Sequence, residues 1–466
     1  MKIKKEQLMK GPKVVLIGAG SVFFARQTIW SMVKKEGLCG GTLALVDTNP
    51  DILGTIKKVA QRAIAAVKSP LKLEASTDRK KVLKNADFVI LAFANQGVEL
   101  RNLDAQISKK HGIIMCSADT IGPGGTMRTL REVPRQNAIL KDVLKLCPDA
   151  WVINWVNPTS AMGIAMMRYF PQIKSLAICD GPHWPHNEKR VCIQAGLGKT
   201  SEDITDQMLS HVKIKIGGVN HFNWLFELSY KGKDLLPKVK EALRKDMSDA
   251  HHASAEDGKR NLSASISYQL ADKLGFAPMC VWHTMEYLPF FQGRDVLKKD
   301  ALAIKQWNVE VRRKWMKECH DDMAKIASGK RSAEDFLANT GPDHASDIIE
   351  GMWCGLRGKR FYINTPNRGA VPNMPHDAFL ELPCAVDMNQ VSPLPFIPIP
   401  RPIHGWLQHV LDEHELAVEA AASCDRNVLR KAFLASMLTQ SIPDMEACME
   451  DMLSAEREYL PAAWFK

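Results

Sequence analysis

A short apolar strand that ends in a glycine turn and continues as a helix constrains the fold of this chain more than any other feature. Residues 14–17 read VVLI, GAGS follows at 18–21, and the next stretch, VFFARQTIWSMVKK, carries apolar residues at helical spacing. Such a turn lets a pyrophosphate approach backbone N–H groups at the N-terminus of the helix. The sequence therefore predicts a dinucleotide site that includes Gly18, Gly20 and Ser21.

An acidic residue supports this interpretation where the glycine pattern alone is incomplete. Phe23 stands at the position of the third glycine of GxGxxG, so that motif is weak by itself. The next apolar strand, in TLALVDTNP, ends at Asp47, where a carboxylate can bind the adenosine ribose and repel the 2′-phosphate of NADP. NAD is therefore favoured over NADP. The alternative is an ordinary glycine-rich turn beside a solvated acid.

Strands alternate with helices through the first half of the chain. Further buried strands are predicted in NADFVILAF, in DAWVINWVNP and in SLAIC. This alternation predicts an α/β fold, a Rossmann-like doubly wound parallel sheet. Later, HVKIKIGGVNHFNWLFELSYKG alternates like antiparallel strands, and residues 360–402 are rich in Pro, Gly and Asn. We expect an NAD-binding domain at 1–200 and an α+β domain at 201–466 whose loops fold back over the first.

Composition and charge exclude several classes of protein. The net charge of +10 arises from basic residues that are interspersed with acidic ones, which argues against a nucleic-acid partner. No run approaches the roughly 18 apolar residues of a membrane span, and the first residues lack an apolar signal-like stretch. The 11 cysteines show no C-x-x-C pairs. We expect a cytoplasmic protein without disulfides, membrane contact or bound nucleic acid.

A thiol, a carboxylate and two imidazoles stand together in CDGPHWPH, residues 179–186. Cys179 ends SLAIC, where the carboxyl end of a parallel strand opens into the cofactor crevice. His221, in GGVNHFNW, ends another β-like run and is a candidate partner from the second domain. A Cys and His pair with open positions suits a catalytic divalent metal. The alternative for Cys179 is a small buried hydrophobe, and His183 and His186 receive no role.

The motifs GAGS, VDTNP, DTIGPGG, NWVNP, ICDGP and GGVNH, taken in order, resemble glycoside hydrolase family 4. Members of that family require NAD and a divalent metal, usually manganese. The resemblance covers nearly the whole chain, and its C-terminal half is similar to the α-galactosidase and α-galacturonidase branch. It implies hydrolysis through oxidation of C3 by NAD, loss of the C2 proton, elimination at C1 and addition of water.

The resemblance also implies roles for binding residues. Cys179 and His221 match the metal ligands, Asn157 of the Asn-Pro pair matches a sugar-binding residue, and Arg101 in ELRNLD matches an arginine that contacts substrate.

Two further substrate contacts are expected, Asn154 in NWVNP and Arg294. The net positive charge of the chain, together with Arg101 and Arg294, keeps an anionic sugar among the expected substrates.

The catalytic residues combine features of different branches. Asp180 matches the proton donor of some α-phosphoglucosidases, whereas the α-galactosidase branch has histidine there. His283, in HTMEYLPFF, falls on the tyrosine that removes the C2 proton in phosphoglucosidases, and an imidazole can do this work. Tyr287 is the second candidate, and His283 as a core residue or metal ligand is the alternative. Asp119, in SADTIGPGG, matches the acid that raises the basicity of the base.

We therefore expect an enzyme that acts on α-linked, non-phosphorylated glycosides: galactosides, glucosides or uronides. The resemblance and the apolar segment SPLPFIPIPRPIHGW predict a homo-oligomer, dimer or tetramer, although that segment could also cover the protein's own core. One alternative is an NAD-dependent 2-hydroxy-acid or sugar dehydrogenase, which would leave the Cys179 and His221 pair unexplained. Another is a cofactor-sensing protein without catalysis.

Overall fold

The computed structural model describes residues 10–179, 182, 186–248, 261–292, 306–356, 358–439 and 441–466. Three residues that the sequence singled out, Asp180, His183 and Arg294, lie outside the described residues.

Six parallel strands form the first half of a single large sheet. They are β1 (Lys13–Ile17), β2 (Thr42–Val46), β3 (Lys72–Ser76), β4 (Phe88–Leu91), β5 (Trp151–Asn154) and β6 (Ser175–Ala177). Their spatial order is β3-β2-β1-β4-β5-β6. This is the order of a doubly wound dinucleotide-binding fold, with its crevice where the order reverses between β1 and β4. The predicted fold class is confirmed.

The same sheet continues into the second half of the chain through antiparallel strands. They are β7 (Val212–Val219), β8 (Phe222–Tyr230), β9 (Lys233–Asp234), β10 (Ala277–Pro278), β11 (Phe361–Pro366), β12 (Phe379–Val386) and β13 (Val391–Pro393). Strand β11 pairs with β6 through Asn364 and Ala177 and so joins the two halves. Residues 360–402 therefore supply three strands to this sheet, β11, β12 and β13, with turns and irregular backbone between them.

Helices connect the strands and cover the sheet. In the first half they are α1 (Val22–Lys34), α2 (Pro50–Val67), α3 (Lys80–Leu83), α4 (Gly97–Lys110), α5 (Gly122–Leu146), α6 (Thr159–Tyr169) and α7 (His186–Gln194). In the second half they are α8 (Asp206–Leu209), α9 (Leu236–Asp246), α10 (Leu262–Leu274), α11 (Val281–Tyr287), α12 (Val309–Ser328), α13 (Ala333–Ala338), α14 (His344–Trp353), α15 (Arg401–Ser423), α16 (Arg426–Ala435) and α17 (Ile442–Ala455). Short 3-10 helices lie at Pro289–Phe291 and Ala462–Phe465.

The two halves interlock through these helices. Helix α15 packs on α5 and α6, and α12 and α13 pack on α2. A buried ion triad adds to this contact, because the Arg131 guanidinium binds both Asp104, at 2.7 Å, and Glu456. Glu456 belongs to the AEREYLP stretch near the C-terminus. The C-terminal segment is thus fastened to the sheet half that carries the glycine turn.

The apolar, proline-rich segment at residues 392–406 packs on the protein's own core. Phe396, Ile399 and Ile403 are all buried, and the Phe396 ring contacts that of Phe226. These contacts favour the alternative interpretation of the segment, as a cover over the protein's own core.

Two sequence-based exclusions can be compared with the structure. No disulfide joins any of the 11 cysteines, all of which lie in described residues. Within the described ranges, no helix is long and apolar enough to cross a membrane.

Candidate active site

The backbone of the turn after β1 passes very close to the backbone of Ala92, which follows β4. Gly18 has a φ of +95°, and a Cβ atom there would lie 2.6 Å from the backbone of Ala92. The Gly20 N–H donates to the Asp47 carboxylate at 2.7 Å, and a Cβ on Gly20 would lie 2.6 Å from the same oxygen. Ser21 precedes α1 and makes no side-chain capping bond to it. The turn therefore admits no side chain at Gly18, and a side chain at Gly20 would displace the Asp47 carboxylate.

Asp47 lies at the carboxyl end of β2, next to the crevice. Its second carboxylate oxygen accepts from the Asn49 N–H at 2.9 Å, so both oxygens are oriented by backbone donors. A glycine cradle, a helix N-terminus and an oriented acid at the topological switch point are the parts that bind a dinucleotide. The residues in this crevice fit NAD.

The loop after β5 carries Asn157, which precedes a cis proline peptide. Its amide donates to the Asp119 carboxylate at 3.2 Å, and its carbonyl oxygen accepts from the Thr159 hydroxyl at 2.7 Å. Asn154 is fully buried, and its amide bonds at both ends to the backbone of Val156. These bonds give Asn154 a role in shaping the loop, while its contact with substrate stays a prediction.

Cys179 and His221 come together from the two halves of the chain. Cys179 lies two residues beyond β6, and His221 stands in the tight turn between β7 and β8, after a cis peptide bond. The Cys179 Sγ atom lies 2.8 Å from Nε2 of His221, and both side chains are buried. The Cys179 thiol also lies 3.7 Å from the Asn157 carbonyl oxygen. The structure thus places the predicted pair beside the loop that carries Asn157.

Cys280 and His283 stand beside this pair, and the sequence analysis missed Cys280. One possible ligand atom from each of His221, Cys280 and His283 lies within 4.8 Å of the others. Cys280 is the residue before α11, and His283 lies in its first turn. The signal was present as CVWH, a C-x-x-H spacing, which places a thiol and an imidazole at one helix N-terminus.

The surroundings of His221 favour a cation. Burial lowers the pKa of its imidazole, but the neighbouring Cys179 and Cys280 sulfurs raise it, and the net result is a pKa well above the ordinary value. Buried sulfur and nitrogen donors that lie close together are the ligands preferred by divalent ions such as Zn2+. The residues present therefore fit a divalent metal ion.

His283 and Tyr287 lie on α11 in different surroundings. The His283 ring stacks on that of His221, with centroids 4.0 Å apart and planes within 5°. The Tyr287 hydroxyl is fully buried and donates to the Asn220 carbonyl at 3.0 Å. Burial, aided by the nearby Glu286, raises the pKa of Tyr287 well above its ordinary value. A buried phenol that keeps its proton is a poor base, so these contacts favour His283 over Tyr287.

Asp119 is the centre of a polar network. Its carboxylate lies 3.3 Å from Nη1 of Arg101 and 3.0 Å from Nη1 of Arg128, and it accepts from the Ser117 hydroxyl at 2.9 Å. Burial would raise its pKa, but Arg101, Arg128 and His283 outweigh burial and hold the pKa well below the ordinary range. Asp119 is therefore an anion at all physiological pH values.

Arg101 is fixed before any substrate arrives. Its Nη2 atom donates to the Ser117 hydroxyl at 2.8 Å, and its guanidinium lies over the Trp307 ring at 4.9 Å. Arg128, which the sequence analysis did not single out, lies in α5 and is mostly buried. Nothing in the local sequence distinguishes it from other helix arginines.

Glu286 links α11 to the loop that carries Asp119. It accepts from the backbone N–H groups of Ser117, at 2.9 Å, and Ala118, at 2.8 Å. Burial raises its pKa to about 7, against the opposing hydrogen bond from Ala118. The sequence analysis missed this residue too, because a glutamate in a short helix gives no sign of burial.

Comparison with known proteins covers both halves of the chain. The model of "Family 4 glycosyl hydrolase" matches residues 13–188, and that of "Family 4 glycosyl hydrolase C-terminal domain" matches residues 216–439. An alpha-galactosidase from Bacillus subtilis is 26% identical over 463 residues, which cover 96% of this chain and 99% of that protein. An alpha-galacturonidase from Thermoanaerobacterium saccharolyticum is 26% identical over 464 residues, 96% of each chain.

A solved structure shows the same fold. It is a 6-phospho-alpha-glucosidase from gut microorganisms in complex with NAD and Mn2+, with a TM-score of 0.78 and 21% identity, and the match covers 97% of this chain and 99% of that one.

Proposed function

Because the chain belongs to family 4 of the glycosyl hydrolases, we propose that it hydrolyses α-linked, non-phosphorylated glycosides with NAD and a divalent ion such as Mn2+. The observation that carries this proposal is the approach of Cys179 to His221 at 2.8 Å, beside the crevice of the glycine turn. Relatives named alpha-galactosidase and alpha-galacturonidase support the α-linkage. The fold shared with a 6-phospho-alpha-glucosidase in complex with NAD and Mn2+ supports the two cofactors.

The cofactors supply chemistry that side chains lack: NAD accepts a hydride from C3 of the sugar, and the divalent ion acts as a Lewis acid toward the sugar oxygens. Gly18, Gly20, Ser21 and Asp47 would hold the dinucleotide. Cys179 and His221 would hold the ion.

His283 is proposed as the base that removes the C2 proton. Its ring lies against His221, beside the proposed ion. The electrostatic interaction between His283 and Asp119 favours the imidazolium that forms when His283 accepts the proton. Tyr287 remains a second candidate for the base.

Asp180 is proposed as the acid that protonates the leaving group at C1. Its position next to Cys179 in the sequence would set this acid beside the ion. The sequence and the resemblance alone support this role, as they do for Arg294 as a substrate contact.

Substrate contacts are proposed for Asn157, Arg101, Asn154 and Arg294. Around Asp119 two guanidinium groups, those of Arg101 and Arg128, face one carboxylate. Guanidinium groups bind carboxylates well, so these two arginines support a uronide among the α-glycosides.

A homo-oligomer, dimer or tetramer, and a domain boundary near residue 200 complete the proposal. Trp282 and Phe290 remain 45% and 60% exposed in this chain, and apolar surface of this kind is what a partner subunit covers. Light scattering that finds only a 52.1 kDa monomer at working concentration would remove the oligomer.

A screen of nitrophenyl α- and β-glycosides, neutral, uronic and phosphorylated, tests the function. We expect turnover of non-phosphorylated α-glycosides only when NAD and Mn2+ are both present, without net NADH formation. Steady accumulation of NADH from a sugar or a 2-hydroxy acid would indicate a dehydrogenase instead. NAD binding without turnover of any substrate would indicate a sensor.

A further inference from the structure

Two further sulfur and nitrogen donors, Cys280 and His283, lie close to His221, the residue that Cys179 contacts. His221 has the Cys179 sulfur 2.8 Å from its Nε2 atom, and it shares a close donor group with Cys280 and His283. Cys280 and His283 are therefore two candidate ligands in addition to the proposed pair, Cys179 and His221. Which of them bind the ion decides how many positions stay open for substrate oxygens.

The geometry of the two histidines separates their roles. An ion bound by an imidazole nitrogen lies in the plane of that ring, because the nitrogen lone pair points along this plane. The rings of His221 and His283 are parallel within 5° and stacked, with centroids 4.0 Å apart. An ion in the plane of one ring lies far from the plane of the other. An ion bound by both imidazoles would therefore lie well out of the plane of at least one ring, which favours only one of the two histidines as a ligand.

Cys280 is held by the same hairpin that presents His221. Strand β10 pairs with β8, with Pro278 opposite Trp224, and the Met279 N–H donates to the Asn223 carbonyl at 2.8 Å. Cys280 follows at once, and its carbonyl accepts from both the N–H and the hydroxyl of Thr284, each at 3.0 Å. A thiol fixed on paired strands and a helix start has the rigidity that a metal ligand needs.

We infer that Cys280 is a third protein ligand of the divalent ion, together with Cys179 and His221. The ion is then held by two thiolates and one imidazole, with further positions open to the sugar, a donor set also used by catalytic zinc. His283 stays outside the coordination sphere and keeps its lone pair for the C2 proton. This inference rests on the proposed function, because it requires an ion at Cys179 and His221.

The number of thiolates has a consequence for the choice of ion. Thiolates favour Zn2+ and Co2+ over Mn2+, which prefers oxygen donors. We therefore expect the preference of the protein for Co2+ over Mn2+ to decrease in Cys280→Ser, because serine replaces a soft donor with a hard one.

Cobalt titration of the whole 466-residue chain counts the bound thiolates without an activity measurement. Each thiolate bound to Co2+ adds charge-transfer absorbance in the near ultraviolet, so Cys280→Ser should keep one ion per chain with about half of the absorbance per ion. Cys179→Ser should lose a similar share. Affinity in each variant should fall at least about tenfold, because loss of groups around metal ligands already costs this much.

Two further variants serve as controls. Cys116→Ser removes a nearby thiol whose contacts are the Trp282 carbonyl and the Glu286 carboxylate, both at 3.3 Å, and it should leave the absorbance unchanged. His283→Ala should also bind cobalt with full absorbance, and loss of the ion there would overturn the division of roles between the histidines. NAD binding by each variant reports that its fold is intact.

The outcomes distinguish this inference from the proposed function. Full absorbance per ion in Cys280→Ser, with a loss in Cys179→Ser, would overturn the role of Cys280 and leave the proposed metal site standing. Full absorbance in both variants would remove the metal site itself.

Discussion

Replacement of Gly20 by alanine tests the dinucleotide site at its tightest point. The new Cβ would lie 2.6 Å from Oδ2 of Asp47 and 3.0 Å from a methyl group of Ile52. The carboxylate must move away, and it then loses its 2.7 Å hydrogen bond from the Gly20 N–H. A hydrogen bond to a charged acceptor contributes about 1.5–3 kcal/mol. Because Asp47 is the proposed ribose ligand, its displacement should also cost a hydrogen bond of this strength to the ribose, and NAD affinity should fall roughly 10- to 100-fold.

Titration of NAD against tryptophan fluorescence or by calorimetry measures this loss. Gly54→Ala is the matched control, because a Cβ at Gly54, within α2, meets nothing within 4 Å. The control should bind NAD as the unchanged protein does and gain about 0.5–1 kcal/mol of stability from its alanine in a helix. If Gly20→Ala binds NAD as tightly as Gly54→Ala, the contact between the turn and Asp47 does not position the dinucleotide.

Three other variants test acid catalysis, a buried acid and the link between the halves. Asp180→Asn should slow alkyl glycosides about 10²-fold or more and nitrophenyl glycosides far less, because a good leaving group needs no proton; equal losses would contradict the acid role. Glu286 has a pKa raised to about 7, so its stabilising contribution is present below about pH 4.5 and lost as pH rises through 7. The unfolding temperature of the unchanged protein should therefore fall relative to Glu286→Gln over this window, by the equivalent of about 3 kcal/mol; parallel pH profiles would contradict the raised pKa. Arg131→Ala should lower the free energy of unfolding by about 3–5 kcal/mol in urea, because the buried Asp104 and Glu456 side chains lose their shared partner. The exposed Arg426→Ala should cost under about 1 kcal/mol, and a similar cost for both would contradict the role of the triad.

The first half of the fold could be predicted because its signals are local. A glycine turn between an apolar strand and an amphipathic helix requires only neighbouring residues, and Asp47 ends the next apolar run. The carboxyl ends of parallel strands meet at one edge of a sheet, which is why Cys179 after β6 could be placed in the crevice. In the structure the Cys179 Sγ atom lies 2.8 Å from Nε2 of His221.

The continuation of the sheet could not be predicted in the same way. Strands β11 and β12 are buried on both faces, so they lack the alternation of a half-exposed strand. Proline, glycine and asparagine around them gave the composition of a loop. The contact that joins the halves, Asn364 with Ala177, links residues far apart in the sequence, and no local pattern encodes such a pair.

Several site residues were not predicted from the sequence, because their contacts also depend on residues far apart in the chain. Arg128 and Glu286 are polar residues in helices. The sequence alone does not show whether such a residue lies on the exposed or on the buried face of its helix. Only the fold brings Arg128 to Asp119 and Glu286 to the backbone of Ser117. Cys280 had a sequence signal, its spacing to His283, but its proximity to His221 depends on the pairing of β10 with β8.

The two carboxylates around residues 116–119 show how this chain sets charge beside its proposed base. Asp119 faces two guanidinium groups, which outweigh its burial and keep it ionised, while Glu286 receives mainly backbone N–H groups and has a pKa of about 7. If both were fully ionised, each would raise the pKa of the other, and the positive charge of Arg101 would be divided between them. A proton on Glu286 leaves that charge to Asp119. The Asp119 carboxylate, which interacts with His283, therefore stays ionised. Glu286 can bind the backbone of Ser117 and Ala118 without competing with Asp119 for positive charge.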